Sequence, residues 1–425
     1  MLDRSLSPPY GQIESVHLPE PKVYHLSNGL PLFVVNLGKQ DLVKVELVFN
    51  CGTATAQKKL VGSTTIRMLR EGTGKMSSEE IANTVDFFGA YLEHDVGYDE
   101  CSVSLFTLTK HLSDTLPILF DVYNDPYFPE REFETLLKKN KQELLIKQQR
   151  VGYIASKTFN SVLFGKNHPY GRSANSEDYE QLTRSDLVNH HKLFIANRLN
   201  YIIVSGKIEA DAINHVEYSF GKLNKQLVNK NSVTGSDTNE RVVHIDKSDA
   251  VQNAIRVGRV LFNRTHPDFM GVQILATVLG GYFGSRLMRN IREDKGYTYG
   301  IGASVVSLQH SGYLSISTEV GSDVCQSAID EIYLEIGRLR KDLIPTSELE
   351  LVRSYLLGSI LKSTDGPFNV AAKWKSYLRY GVGIDAHHEF IHLVKTITSE
   401  RLRELAKTYL QSKDLIQVTV GKTLN

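Results

Sequence analysis

Only three cysteines occur in the 425 residues, Cys51, Cys101 and Cys325. They are far apart, odd in number and free of any C-x-x-C spacing, which argues against both a disulfide framework and a cysteine-based zinc site; buried or idle thiols are expected. Long apolar runs are also missing. No stretch approaches the roughly 20 residues that a membrane-spanning helix needs. The opening Met1-Leu2-Asp3-Arg4-Ser5-Leu6-Ser7-Pro8-Pro9-Tyr10 carries acid, base and two prolines where a secretory signal would need a continuous apolar core. A cytoplasmic location away from membranes is therefore the expectation, or a periplasmic one if a leader has been removed. Charge of one sign is not in excess either: 49 Lys and Arg against 48 Asp and Glu leave a formal net charge of +1, so neither nucleic acid nor an acidic lipid surface is an expected partner. What is present is ordinary globular material, 41% apolar and 23% charged, in a chain long enough for two sizeable cores. Any function has to come from a local site.

The chain repeats itself. Leu47-Val48-Phe49-Asn50 returns as Val260-Leu261-Phe262-Asn263, and the helical pattern Leu116, Leu119, Phe120 returns as Ile329, Ile332, Tyr333, both at an offset of 213 (262 against 49, 329 against 116). Near the end of each half, Leu182-Thr183-Arg184-Ser185-Asp186-Leu187 matches Ile397-Thr398-Ser399-Glu400-Arg401-Leu402, each a Thr cap with an acid in the first helical turn. The strand patterns Ile202–Lys207 and Ile416–Lys422 follow at nearly the same offset. Between the halves, residues 226–242 are rich in Ser, Thr, Asn, Asp and Gly, a linker composition. Two homologous domains, 1–225 and 243–425, are the expectation. Within each, strand patterns alternate with helices such as Ser78–Phe87, capped by Ser77 with Glu80 three residues on. Paired strand runs around 91–108 and 298–320 favour hairpins. The class expected is α+β, each half a largely antiparallel sheet with helices packed on one face.

One motif suggests chemistry at once. His388-Glu389-Phe390-Ile391-His392 has the H-E-x-x-H spacing that places two histidines on one helix face around a metal, with the glutamate as general base. On a helix, His388, His392 and Lys395 share one side, while Phe390, Ile391, Leu393 and Val394 form the apolar other side. The extended form with a third histidine is absent, leaving Glu400 and Glu404 as weak candidates on a helix the repeat already explains. A solvated helix face is the preferred reading. The glycines of Leu279–Ser285 lack a following Gly-Lys-Ser/Thr and read as a tight turn, not a phosphate cradle.

Other residues carry a resemblance. The duplicated half of about 210 residues, the element Asn167-His168-Pro169-Tyr170-Gly171-Arg172 and the run from Ser285 to Tyr299 (SRLMRNIREDKGYTY) together resemble the pitrilysin/insulinase metallopeptidase family. Mitochondrial processing peptidase and its two-subunit bacterial relatives belong there. That resemblance implies an inverted zinc motif, H-x-x-E-H, a few residues before a Gly-Thr, here Gly72-Thr73. The register puts Ser63, Ile66 and Arg67 where the family has His, Glu and His. Zinc takes imidazole, thiolate or carboxylate donors, and neither an alkyl chain nor a permanently cationic guanidinium has a lone pair to give. Ile66 cannot take a proton from water either. The family's third ligand would fall near Glu143, more simply a solvated helix charge or a partner for Arg67.

The resemblance also implies an arginine and a tyrosine seven residues apart that reach substrate from the second domain. Arg292 and Tyr299 stand at that spacing, and both can donate to a peptide carbonyl or a developing oxyanion. From the residues alone, an Arg292 ion pair with Glu293 or Asp294 and a core Tyr299 are the plainer readings. What the family implies overall is a catalytically inactive subunit of a heterodimeric zinc endopeptidase. It would bind no cofactor itself, zinc being expected in the partner, and would contribute peptide binding through Arg292 and Tyr299. A structural or peptide-holding homologue that associates with itself is the alternative. A zinc enzyme using His388, Glu389 and His392 is the third.

Overall fold

The computed structural model describes residues 11, 13–196, 198–223 and 241–423. The expected linker therefore lies outside the described residues except for Arg241 and Val242. Two sheets carry the chain. The first contains β1 (Lys22–His25), β2 (Pro31–Asn36), β3 (Leu42–Phe49), β4 (Tyr91–Val96), β5 (Cys101–Leu108) and β6 (Leu199–Gly206), in the order β1-β2-β6-β3-β5-β4. The second contains β7 (Val242–Asp246), β8 (Gln252–Leu261), β9 (Ile301–Ser307), β10 (Gly312–Gly321) and β11 (Ile416–Gly421), in the order β7-β11-β8-β10-β9. Neighbours are antiparallel except β2 with β6 and β7 with β11. Setting β2 on β7, β6 on β11, β3 on β8, β5 on β10 and β4 on β9 makes the two orders coincide, with β1 the one addition. The sequence offset makes the same assignment, carrying Leu47 and Val48 of β3 onto Val260 and Leu261 of β8. The expected hairpins are β4–β5 and β9–β10.

Local rules explain the helix starts. The Ser77 side chain accepts from the Glu80 amide while the Glu80 carboxylate accepts from Ser77, so two otherwise orphaned donors at the start of the Ser78–Phe87 helix are satisfied together. Thr183 and Asp186 repeat the arrangement for Arg184–His190, and Thr398 accepts from the Arg401 amide to open Ser399–Tyr409.

The central strands β3 and β6 are buried along nearly their whole length because both of their faces are covered. Val43, Val45, Leu47 and Phe49 of β3 turn into a core shared with Leu116, Leu119 and Val122 of the Leu112–Asn124 helix. Val48, with Val35 of β2 and Tyr201 and Ile203 of β6, turns the other way, against Val370, Ala371, Trp374 and Tyr377 of the Pro367–Tyr380 helix. The reverse loan covers the second sheet. Ala254 of β8 and Ile416, Val418 and Val420 of β11 pack on Ala155, Phe159 and Leu163 of the Val151–Phe164 helix from the first half. Each sheet thus has its own helices on one face, as expected, and a helix from the other half on the opposite face. With each fully buried large apolar side chain contributing about 1.5–3 kcal/mol, the exchange couples the stability of the two halves.

A charged group is buried in one of these layers. Glu46 of β3 points the same way as Val48 and accepts from Lys375 Nζ at 2.7 Å, Lys44 Nζ at 2.8 Å and Ser102 Oγ at 2.9 Å. Burial alone would raise its carboxyl; the Lys375 and Lys44 ammonium groups outweigh burial and hold it down at about 2. Beside it, Glu100 accepts from Arg379 at 2.7 Å. Lys375 and Arg379 both belong to the Pro367–Tyr380 helix, so the loaned helix is registered by ion pairs as well as by packing.

Candidate functional site

The H-E-x-x-H residues lie on the Asp385–Thr396 helix, with His388, Glu389 and His392 all exposed. The buried histidine of this segment is its neighbour His387, 1% exposed, whose Nε2 lies 3.2 Å from the Val16 carbonyl oxygen. Burial pushes the His387 imidazole below its ordinary value. On the opposite side Val394 is buried and Phe390 and Leu393 pack against the second core. Lys395 donates to the Glu14 carbonyl. Among the described residues, no group of three or more His, Cys, Asp or Glu side chains is arranged to hold a metal ion.

Ser63, Ile66 and Arg67 are brought together on the Val61–Met68 helix. Ile66 is 2% exposed and part of the first core, so the position where a general base would work is apolar packing. Ser63 donates to the Leu60 carbonyl at 3.1 Å, one helical turn back, and Arg67 is exposed, its Nη1 3.4 Å from Asn140 Oδ1. Glu143, the one carboxylate considered as a third ligand, is 3.9 Å from Lys147 and makes no ion pair with Arg67 among the described residues. An alkyl chain, a guanidinium and a hydroxyl already turned back on its own helix do not fit a zinc ion, and no step of chemistry is assigned to a metal on this chain.

A cleft of about 430 Å³ opens beside Ser63, lined also by Lys59, Tyr98, Pro169 and Arg172. The Asn167–Arg172 element builds its wall. Arg172 donates to the Thr53 carbonyl and, at 2.6 Å, to the Ala56 carbonyl. The buried Tyr170 hydroxyl donates to Asp99 Oδ1 at 2.5 Å, and Asp99 Oδ2 accepts from the Gln309 amide of the second half at 2.8 Å. Burial and the adjacent Asp99 carboxylate push the Tyr170 hydroxyl far up, so it stays a donor. This buried Asp99 link between the halves has no signature in the sequence.

Arg292 and Tyr299 sit on different elements. Arg292 is on a wide helical turn, Met288–Asp294, with its guanidinium 4.4 Å above the Phe283 ring. Gly296, in the left-handed region at φ 66°, turns the chain into the extended approach to β9. There the Thr298 hydroxyl donates to the Glu319 carbonyl of β10 at 2.8 Å, fixing the loop, and Tyr299 projects 95% exposed. The plainer readings both fail: Arg292 makes no ion pair with Glu293 or Asp294, and Tyr299 is not in the core. Neither side chain has a hydrogen-bond partner among the described residues, and no ring contact joins the two. A shallow depression of about 300 Å³ beside Tyr299 is edged by Gln252, Arg256, Ser317 and Glu319.

Residues 181–356 match the family model described as the peptidase M16 inactive domain. Over that segment the chain is similar to the peptidase M16 inactive domain. The matched segment contains Arg292 and Tyr299 and excludes both Ser63–Arg67 and the H-E-x-x-H helix. Among curated relatives, the chain is 25% identical over 402 residues to an "uncharacterized zinc protease" of Bacillus subtilis, covering 91% of this chain and 95% of that one. It is 22% identical over 387 residues to a "non-peptidase homolog" of Helicobacter pylori, covering 87% of each. In fold it is similar to the crystal structure of a peptidase M16 inactive domain from Pseudomonas fluorescens, with TM-score 0.87 at 20% identity over 95% of this chain and 98% of that one. A chain of complex III from Candida albicans is also similar, with TM-score 0.74 at 14% identity over 94% of this chain and 95% of that one. The resemblance read from the motifs and the family matched here agree.

Proposed function

We propose that this chain is the non-catalytic member of a two-subunit zinc endopeptidase, presenting peptide substrate to a partner that holds the metal. The observation that carries the reading is a contrast within one molecule. The first half has Ile66 buried and Arg67 cationic where a metal site would need donors, while the second half holds Arg292 and Tyr299 out with their donors unused. The Phe283 ring supports the Arg292 guanidinium from one face and leaves its N–H edge free, so it can donate to a peptide carbonyl without first breaking an ion pair. The Tyr299 hydroxyl can donate to an oxyanion forming on the attacked carbonyl, and one such donor is worth about 10²–10³ in rate. The relative named a non-peptidase homologue supports the inactive half of the reading.

The test is reconstitution. Alone, the purified chain should cleave no peptide and hold substoichiometric zinc. Mixed with an H-x-x-E-H-bearing partner it should form a heterodimer with peptidase activity, and Arg292→Ala or Tyr299→Phe should lower kcat by about 10²-fold or more. Full activity in both variants removes the role given to the pair. A structural role without proteolysis is the second reading, favoured by the fold shared with a chain of complex III. Stable self-association with no activity towards any such mixture would favour it.

A further inference from the structure

Cys51 and Cys101 are 50 residues apart in sequence, yet their sulfurs lie 2.9 Å from each other. Pairing of β3 with β5 causes this. Phe49 faces Cys101 across the ladder, and just past the strand end the chain is pinned by the Thr53 amide on the Gly97 carbonyl at 3.0 Å and the Ala54 amide on the Tyr98 carbonyl at 2.8 Å. Cys51 is thereby turned back over the start of β5. Both residues are core members, 2% and 1% exposed, and the remaining cysteine, Cys325, sits in the second half against other partners.

We infer that Cys51 and Cys101 are a covalent modification site, able to close an intramolecular disulfide, with Cys325 remaining a free thiol. The oxidant required is a low-molecular-weight disulfide. Cys51, as thiolate, attacks one sulfur of that molecule and expels one small thiolate. Cys101, after losing its proton to solvent, attacks Cys51 Sγ in the mixed disulfide and expels the second. The two protons lost by the chain are taken up by the two small thiolates, so two protein thiols are oxidised and one small disulfide is reduced. Burial pushes the Cys101 thiol well above its ordinary value, so exchange runs from a transiently opened or still-folding chain.

The consequence is local. The closed loop contains the Val61–Met68 helix that carries Ser63 and Arg67, the Ser78–Phe87 helix and edge strand β4, and its Ser63 and Val96 border the cleft. A bond between residues 51 and 101 would clamp the base of that whole excursion. The inference is independent of the peptidase reading, because it concerns thiols and not activity.

The experiment incubates the full chain with oxidised glutathione, unfolds it, alkylates with iodoacetamide and maps the peptides. The expected result is one alkylated cysteine, Cys325, and a linked pair of peptides containing Cys51 and Cys101. The oxidised chain should melt roughly 5–10 °C above the dithiothreitol-treated one. Cys325→Ala should keep both the link and the shift. Cys51→Ala and Cys101→Ala should lose them. Three alkylated cysteines after oxidation and refolding, or stable glutathione adducts on Cys51 or Cys101 in place of the link, would overturn the assignment. The wild-type map decides even where a variant does not fold.

Discussion

Replacing Lys375 by Met tests how the two halves are held together. Its ammonium is 2.7 Å from Glu46 Oε1 and 2.9 Å from Ser102 Oγ in a layer where the Glu46 side chain is 5% exposed. Removing one partner of a buried pair leaves the other charge without its counter-ion, at a cost of about 3–5 kcal/mol. The pH dependence gives an independent magnitude. Glu46 is lowered from 4.5 to about 2 on folding, and at about 1.36 kcal/mol per pH unit this is about 3 kcal/mol. Because the folded value is the lower one, the contribution is complete above about pH 4.5 and is lost as pH falls towards 2. In Lys375→Met burial is opposed by Lys44 alone, so Glu46 takes up its proton at higher pH than in the wild type. The deficit should therefore be about 3–5 kcal/mol near neutral pH and shrink towards pH 4. Urea unfolding followed by circular dichroism at the two pH values measures it. A deficit under about 1 kcal/mol near neutrality, or one equally large in acid, would refute the assignment. Glu46→Gln combined with Lys375→Met should recover much of the loss, since the buried carboxylate is then uncharged, Glu100 keeps Arg379, and the Lys44 ammonium left without its partner is the more exposed of the two lysines.

Phe159→Ala should cost about 3–5 kcal/mol, and hydrogen exchange should rise in β8 and β11 of the second sheet, although residue 159 belongs to the first half. Faster exchange confined to the first sheet would contradict the loaned helix. His388→Ala should leave zinc content unchanged and stability within about 0.5 kcal/mol, whereas His387→Ala should destabilise by about 1–3 kcal/mol by removing the buried group that meets the Val16 carbonyl. One zinc per chain that disappears in His388→Ala would reverse the reading of that helix. The wild-type contribution of His387 should fade in acid, because its imidazole is lowered on folding and charging it costs more inside than out.

Much of the architecture could be read from the residues because it rests on short-range rules. Capping at Ser77, Thr183 and Thr398 needs only a side chain and an amide three residues on. The repeat appears as an offset in the sequence, and with β1 set aside the two sheets have matching strand orders. Other features were silent for a physical reason. Ala155, Phe159 and Leu163 mark an apolar stripe on their helix, but periodicity does not say which sheet the stripe will meet. Cys51 and Cys101 looked unrelated at a separation of 50, and β-pairing brings their sulfurs to 2.9 Å. Glu46 did leave a signal, a lone acid within an apolar strand, but its partner Lys375 lies 329 residues away. In Ala386-His387-His388 the buried imidazole is His387, since burial depends on which side of the helix meets residue 16.

Residue identity alone decides that Ile66 cannot serve as a metal donor. Whether a side chain owns a lone pair is a property of the residue, and no fold returns a donor to isoleucine. Tertiary structure alone decided what Arg292 and Tyr299 are free to do. An arginine beside Glu293 and Asp294 would ordinarily pair with them, and a tyrosine ahead of a strand would ordinarily be packed. Here a Phe283 ring beneath the half-buried Arg292 and a turn at Gly296 before the exposed Tyr299 leave both donors without a protein partner among the described residues. Availability is a matter of what else is near, and distance through space is what a linear sequence does not contain.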